Sequence, residues 1–369
     1  MKALAYAERF LKEYTCYKKY WNYEDGCVLK GCMDLYAATG DRKYRDFVIN
    51  YCDRFVGPDG TIVNFDCRQY STDSLNASKA LFFALDETGD ERYRAAIEQS
   101  MERVRNSPRC VCGNFFHKER YPYQVWLDGL YMLQPFYAAY EMRFGGKREI
   151  GDIVKQFKKV REHLFVREKG LYVHGWDESR AAFWCDRETG RSTSFWLRSV
   201  GWYLMALADC AGIIDEQLYE HRRALVDLFR EAVAGLLPYA DEKTGMFYQV
   251  IDRKDLEGNY TETSGTAMVA YAVMKGVRLG FLSAEKALPW GKRAFEGILK
   301  EKLREKEDGS LTLTDICLVA GLGKGPDGGQ ARDGSAAYYL SEPKCADDAK
   351  GAGPFMMALS EYLRAGKES

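Results

Sequence analysis

TGDRKYRDFV, residues Thr39–Val48, returns as TGDERYRAAI, residues Thr88–Ile97, a spacing of 49 residues (88 − 39). In each copy a Gly stands just past one apolar-periodic segment and an Asp opens the next. Gly accepts the left-handed conformation that ends a helix, and an Asp side chain caps the first turn of the helix that follows. The pair is therefore the joint of a helical hairpin. Gly26–Ala38 reads as a buried helix ending at Gly40, and Asp41 caps a helix carrying Tyr44, Phe47 and Val48. Residues 2–14 form a first helix with Leu4, Ala7, Phe10 and Leu11 on one face. A weaker echo, RFGGKREIGDIV, begins at Arg143. Later pairs are expected at Leu197–Gly212 with Glu216–Tyr239, and at Thr266–Leu279 with Ser283–Leu299. A period of about 50 residues marks stacked helical hairpins, in a solenoid or a closed α/α toroid. Divided into 369 residues, it leaves room for about seven hairpins, enough for the six that close an all-α, six-hairpin (α/α)6 barrel.

Short glycine-bounded pieces at 60–65, 170–174, 245–251 and 310–314 read as β-like loops on one rim. The glycine-rich stretch Gly321–Ser335 lacks the strand and GK[ST] context of a phosphate loop and is taken as another rim loop. No Pro/Ser-rich linker divides the chain, so residues 1–369 are expected to form one domain.

The net charge of −1 comes from interspersed acids and bases, without the basic stripe of a nucleic-acid binder. No apolar run approaches a membrane span, and MKALAYAERFLKEY lacks a signal-peptide core. The 11 Cys are odd in number and scattered, which fits free thiols in a reducing cytoplasm. Cys110 and Cys112 form one close pair, but no second pair completes a zinc-type arrangement. The four His have no HExxH spacing, so no metal is expected. Aromatic residues make up 14 % of the chain, with 25 Tyr and 7 Trp, which suits either a sugar-lined cleft or a large helical core.

Asn114–Phe136, NFFHKERYPYQVWLDGLYMLQPF, surrounds one carboxylate, Asp128, with aromatic and aliphatic residues. Pro122 suits a first helical position, and from Tyr123 onward the apolar residues run almost all the way round. This predicts a buried helix with Asp128 two turns inside it. Such an Asp is either a paired core residue or a general acid whose pKa is raised by desolvation against Trp126, Tyr131 and Met132. Asp73, ahead of another buried helix, reads as an N-cap or a site residue. His117 and Lys118 precede the Asp128 segment, and His174 lies in a glycine-flanked loop with Trp176 and Asp177. Trp196, Arg198 and Trp202 gather at one helix start, as rings for a sugar face and a guanidinium fork for its carboxylate, or as an Arg–Trp packing stack.

Together the blocks WNYEDG (Trp21), YSTDSLN (Tyr70), FHKERYPYQVWLDGLYM (Phe116), LYVHGWDES (Leu171), FWLRSVGW (Phe195), LTLTDIC (Leu311), RDGSAAYYLSE (Arg332) and DDAKGAGPFMMAL (Asp347) resemble, in order, the unsaturated rhamnogalacturonyl hydrolases of glycoside hydrolase family 105. The resemblance spans nearly the whole chain. It implies an (α/α)6 barrel that removes 4,5-unsaturated galacturonic acid from the non-reducing end of lyase-generated pectin fragments, with water as nucleophile and no cofactor. It also implies Asp128 as acid/base, Asp73 as a second active-site Asp, and His174, Trp196, Arg198 and Trp202 around the sugar acid. Tyr23, His117, Lys118 and Gln124 are implied more loosely as lining residues. Ser199 and Val200 replace the family's Gly and Asn, which puts the leaving sugar rather than the reaction in question. Alternatives are an unsaturated glucuronyl hydrolase acting on glycosaminoglycan-type fragments, a non-catalytic sugar-binding toroid, and an inverting glycosidase with Asp73 or Asp177 as a second carboxylate.

Overall fold

The computed structural model describes residues 1–16, 18–65, 70–325 and 331–367. Its helices are α1 (Lys2–Glu13), α2 (Tyr23–Thr39), α3 (Arg42–Phe55), α4 (Lys79–Thr88), α5 (Arg92–Arg105), α6 (Leu127–Tyr140), α7 (Ile150–Leu164), α8 (Leu197–Ile213), α9 (Tyr219–Leu236), α10 (Thr263–Arg278), α11 (Ala284–Glu301), the short α12 (Ala336–Ser341) and α13 (Ala349–Lys367). Six of them, α2, α4, α6, α8, α10 and α13, pack side by side in that order, and α13 returns to α2 to close the ring. The others, α12 apart, lie outside that ring against their neighbours in sequence, except α1, which packs on α13. This is the (α/α)6 barrel expected from the hairpin period. Composition sorts the two layers: α8 buries every residue from Leu197 to Ala211, whereas α3 buries only Tyr44, Val48, Tyr51, Cys52 and Phe55. A helix apolar all round belongs inside, and one with a single apolar stripe belongs on the outer layer.

The repeated joints fold as their residues dictate. Gly40 has φ +74° and donates its N–H to the Tyr36 carbonyl at 2.7 Å, while the Asp41 carboxylate accepts the Lys43 N–H at 3.1 Å. Gly89 (φ +70°) and Asp90 repeat this, with Asp90 accepting the Arg92 N–H at 3.0 Å. The short pieces on the rim form two-stranded ladders, Phe165–Val166 with Leu171–Tyr172 and Leu303–Glu305 with Leu311–Leu313, or isolated bridges such as Val56 with Ile62. In the glycine-rich stretch, Gly323–Lys324 pairs with Ala331–Arg332, and residues 326–330 lie outside the described residues. No helix among the described residues is long and apolar enough to cross a membrane.

One expectation is overturned. The helix carrying Asp128 starts at Leu127 and not near Pro122. Tyr123 turns the chain with φ +60°, and Gln124–Trp126 is a strand paired antiparallel with Gly175–Asp177. That ladder satisfies backbone groups a helix would have claimed, and it is invisible locally because its partner lies some fifty residues away. Asp128 therefore sits in the first helical turn, where the positive end of the helix dipole favours a carboxylate.

Pro135 lies inside α6 and has no N–H to offer the Tyr131 carbonyl. Lys79 Nζ takes that role at 3.3 Å, with its ammonium 3.6 Å from the Tyr131 ring centroid. Burial pushes the Lys79 pKa down to about 7. Lys79→Met should cost about 1–3 kcal/mol by orphaning the carbonyl, and less in a Pro135→Ala background that restores the helical donor. A double-mutant cycle in urea should show coupling near 1 kcal/mol. Additive effects would mean that Lys79 serves some other group.

Candidate active site

The inner helices α2, α6, α8 and α13 begin at one mouth, and the chain leading into α4 passes the same mouth. Together they line a cavity of about 380 Å³. Trp21 and Tyr23 come from the start of α2, Asp73 from the 3-10 turn Thr72–Leu75, Asp128 and Met132 from α6, Trp196, Arg198 and Trp202 from the start of α8, and Lys350 from α13. His117, Lys118, Tyr121 and Trp126 form the wall between them. His117, Trp126 and Tyr121 are stacked, with centroids 4.2 Å and 4.9 Å apart in successive pairs.

His174 does not line the cavity. It is fully buried behind Asp128, with Nε2 3.0 Å from Asp128 Oδ2 and Nδ1 2.7 Å from the Tyr339 hydroxyl. Oδ2 and Nε2 are close but poorly aligned, and neither has a well-formed hydrogen bond. Burial alone would raise the Asp128 pKa, but His174, with help from His117, outweighs it and holds the carboxyl below its ordinary range. This corrects the expectation of a raised value, which counted the aromatic wall but not an imidazole behind it. Burial, reinforced by Lys118, holds the His117 pKa well below its ordinary value, so this ring is neutral at pH 7.

Asp73 is not an N-cap. Its carboxylate meets Lys118 Nζ at 2.5 Å. Gln124 also lies away from the cavity, where its side-chain oxygen accepts the Trp126 indole N–H at 3.2 Å. Trp202 stacks on Tyr131 at 4.9 Å, and Trp196 stacks on Tyr339 at 5.7 Å. Arg198 is 2 % exposed and much of its fork is already occupied: Nε donates to Ser264 Oγ at 2.8 Å, Nη2 donates to the Cys317 carbonyl, and Glu262 lies 3.7 Å away. The free fork expected for a sugar carboxylate is thus anchored within the protein. Ser199 and Val200 do not line the cavity, and Ser199 Oγ turns back onto the Trp196 carbonyl at 2.8 Å.

Five charged lining residues, Lys18, Glu24, Arg120, Arg332 and Lys350, escaped the sequence reading. Glu24 bridges Lys18 at 2.6 Å and the buried Lys350 at 3.4 Å, and Lys350 also meets Asp348 at 2.8 Å. Arg332 reaches the mouth from the rim. For Lys350 there was a signal, a lone charge in the small-residue run AKGAG at a buried helix start. Among the described residues, six Lys or Arg side chains line the cavity (Lys18, Lys118, Arg120, Arg198, Arg332 and Lys350) against three carboxylates (Glu24, Asp73 and Asp128). Basic excess and inward-facing helix N-termini make this an anion-accepting, aromatic-walled pocket with one carboxylate held by an imidazole.

Comparison with known proteins gives the family of this helical toroid and its pocket. The sequence profile described as Glycosyl Hydrolase Family 88 matches residues 4–366. A glycoside hydrolase of family 105 from C. acetobutylicum ATCC 824 superposes with a TM-score of 0.92 at 41 % identity, covering 98 % of this chain and 99 % of that one. Protein Atu3128 of Agrobacterium fabrum is 41 % identical over 232 residues, 62 % of this chain and 97 % of that protein. An unsaturated 3S-rhamnoglycuronyl hydrolase of Formosa agariphila is 24 % identical over 245 residues, 65 % of this chain and 57 % of that protein. The chain belongs to glycosyl hydrolase family 88 and, within that likeness, stands with the family 105 enzymes. It is a glycoside hydrolase.

Proposed function

We propose that the chain, as one catalytic domain, removes a 4,5-unsaturated uronic acid from the non-reducing end of lyase-generated oligosaccharides, with rhamnogalacturonan (pectin) fragments as substrate. The observation that carries this reading is Asp128, backed by His174, in a pocket whose other two described carboxylates, Glu24 and Asp73, are tied to Lys side chains. An ordinary glycosidase needs two carboxylates free to act across the scissile bond. Here Asp73 is tied to Lys118, and Asp177 is turned inward, accepting the Ser179 hydroxyl at 2.7 Å and the Ala182 N–H at 2.7 Å. Hydration of a vinyl ether requires one proton donor. Asp128 gives its proton to C4, and the electron pair of the double bond forms the new C–H bond. The cation at C5 is stabilised by the ring oxygen. Water adds at C5 while Asp128 takes back a proton, and the hemiketal opens to expel the remaining sugar. Trp196, Trp202 and Tyr23 offer faces to the ring, while Lys350, Arg332 and the helix N-termini draw in its carboxylate. No metal or organic cofactor enters these steps. Ten described cysteines are free, which supports placing the enzyme in the cytoplasm.

The test is loss of near-ultraviolet absorbance from the conjugated enol ether of unsaturated disaccharides derived from rhamnogalacturonan, homogalacturonan and chondroitin. Fastest loss on the first is expected. Fastest loss on chondroitin products would favour the glucuronyl reading, and binding of all three without turnover would leave a sugar-binding toroid.

A further inference from the structure

We propose that Cys110, Cys112 and Glu178 form a site for one thiophilic divalent cation of the zinc type, outside the catalytic cavity. In the sequence the two thiols lack a second pair. The fold supplies a third donor from a residue 66 positions away from Cys112. One sulfur from each Cys and one carboxylate oxygen of Glu178 lie within 4.8 Å of one another, and no other such cluster occurs among the described residues. A tetrahedral zinc site with Zn–S near 2.3 Å and Zn–O near 2.1 Å sets its donors about 3.6–3.8 Å apart. Modest side-chain rotation therefore closes the triangle.

The backbone already holds this geometry. Arg109 and Phe115 pair across a tight hairpin. At its tip the Cys110 N–H donates to the Asn114 carbonyl at 2.8 Å, and the Gly113 N–H donates to the Cys110 carbonyl at 2.9 Å. Gly113 adopts φ +97°, a conformation that a side chain would strain. The Glu178 carboxylate accepts the Val111 N–H at 2.7 Å and the Cys112 N–H at 2.9 Å, one on each oxygen. Each oxygen keeps a second lone pair for a cation. Val111, between the two thiols, is 92 % exposed, so the tip is open to solvent. Both thiols release a proton to solvent as the ion binds. Two thiolates and a carboxylate leave a net charge of −1 around a divalent ion, and Lys155 Nζ is beside Gly113, 2.8 Å from where a Cβ would sit. Three protein donors leave a fourth position for water. The soft sulfurs select zinc-like ions over magnesium or calcium.

The site would brace the cavity from behind. Its hairpin runs on into His117, and Glu178 follows the strand Gly175–Asp177, which pairs with the strand entering the Asp128 helix. The Glu178 N–H also donates to the Tyr123 carbonyl at 3.0 Å. The bound ion thus ties two segments of the catalytic wall without touching substrate.

The reduced full chain, titrated anaerobically with Co²⁺, should show thiolate-to-metal charge transfer that saturates at one equivalent and is reversed by Zn²⁺. Cys110→Ser/Cys112→Ser should abolish the band, and Glu178→Gln should weaken binding about tenfold or more. Zn²⁺ should raise the Tm of the wild type and not that of the double variant, while Mg²⁺ changes neither. In the wild type, Zn²⁺ should shield Cys110 and Cys112 from alkylation, read by peptide mass spectrometry, which needs no variant to fold. An unchanged band in the double variant, an affinity independent of Glu178, or equal alkylation with and without Zn²⁺ would each overturn the site.

Discussion

Asp128→Asn should lower kcat on an unsaturated uronyl disaccharide on the order of 10³-fold, with KM and the far-ultraviolet spectrum little changed. Asn is close to isosteric with Asp but can neither donate the proton to C4 nor recover one from water, and general acid–base catalysis contributes effects of that size. The fold should survive because Asp128 sits in the first turn of α6 and, among the described residues, has one possible ion-pair partner within 4 Å, His174. The direction of the pKa shift adds a second readout. In the free enzyme Asp128 is held below the usual carboxylate range, so its pairing stabilises the fold above the ordinary carboxylate pKa. That stabilisation is lost as the pH falls through the lower folded value. The stability gap between wild type and Asp128→Asn should therefore narrow in acid. A bound sugar carboxylate and the exclusion of water both disfavour the Asp128 anion, so substrate should raise this pKa. The alkaline limb of kcat should accordingly lie at higher pH than that of kcat/KM. Coincident limbs would mean that substrate does not reach Asp128. An Asn variant that keeps its turnover would remove Asp128 from the chemistry.

How much of this site was legible follows from the range of each interaction. The hairpin joints at Gly40–Asp41 and Gly89–Asp90 are local: left-handed glycine and capping Asp act within one turn, so their residues state the structure. Asp128 stood out because one charge in an aromatic run needs a reason. Its helix start did not, since the Gln124–Trp126 strand depends on a partner in Gly175–Asp177. The direction of its pKa shift was hidden for the same reason. His174 was visible as a candidate, but only the fold places it behind the carboxylate and puts Tyr339 on its far side. Lys350 and Glu24 belong to opposite ends of the chain, brought together where α13 closes onto α2. Nothing in either segment alone says that each neutralises the other.

Arg198 is the sharpest case, and Glu262→Ala tests it. Glu262 is fully buried at the N-terminus of α10. Its carboxylate accepts the Ser264 N–H (3.0 Å), the Ser264 hydroxyl (2.7 Å), the Gly265 N–H (2.7 Å) and the Cys317 N–H (3.0 Å), with Arg198 3.7 Å away. Alanine would orphan three backbone donors and leave a buried guanidinium without its counter-ion. Breaking one side of such a pair costs roughly 3–5 kcal/mol, so the urea midpoint should fall sharply. Adding Arg198→Met should recover part of that loss by removing the unpaired charge, but the α10 donors and the Cys317 N–H stay unsatisfied, so recovery should be incomplete. A substrate-binding Arg198 makes a different forecast. The orphaned donors would still lower the Glu262→Ala midpoint, but adding Arg198→Met would then recover none of the loss and would weaken binding of the acid sugar. The fork held by Ser264 and the Cys317 carbonyl favours the first outcome: Arg198 locks α8 to α10 beneath the pocket and lends it positive potential, which leaves the proposed contact with the sugar carboxylate to the other cations of the cavity.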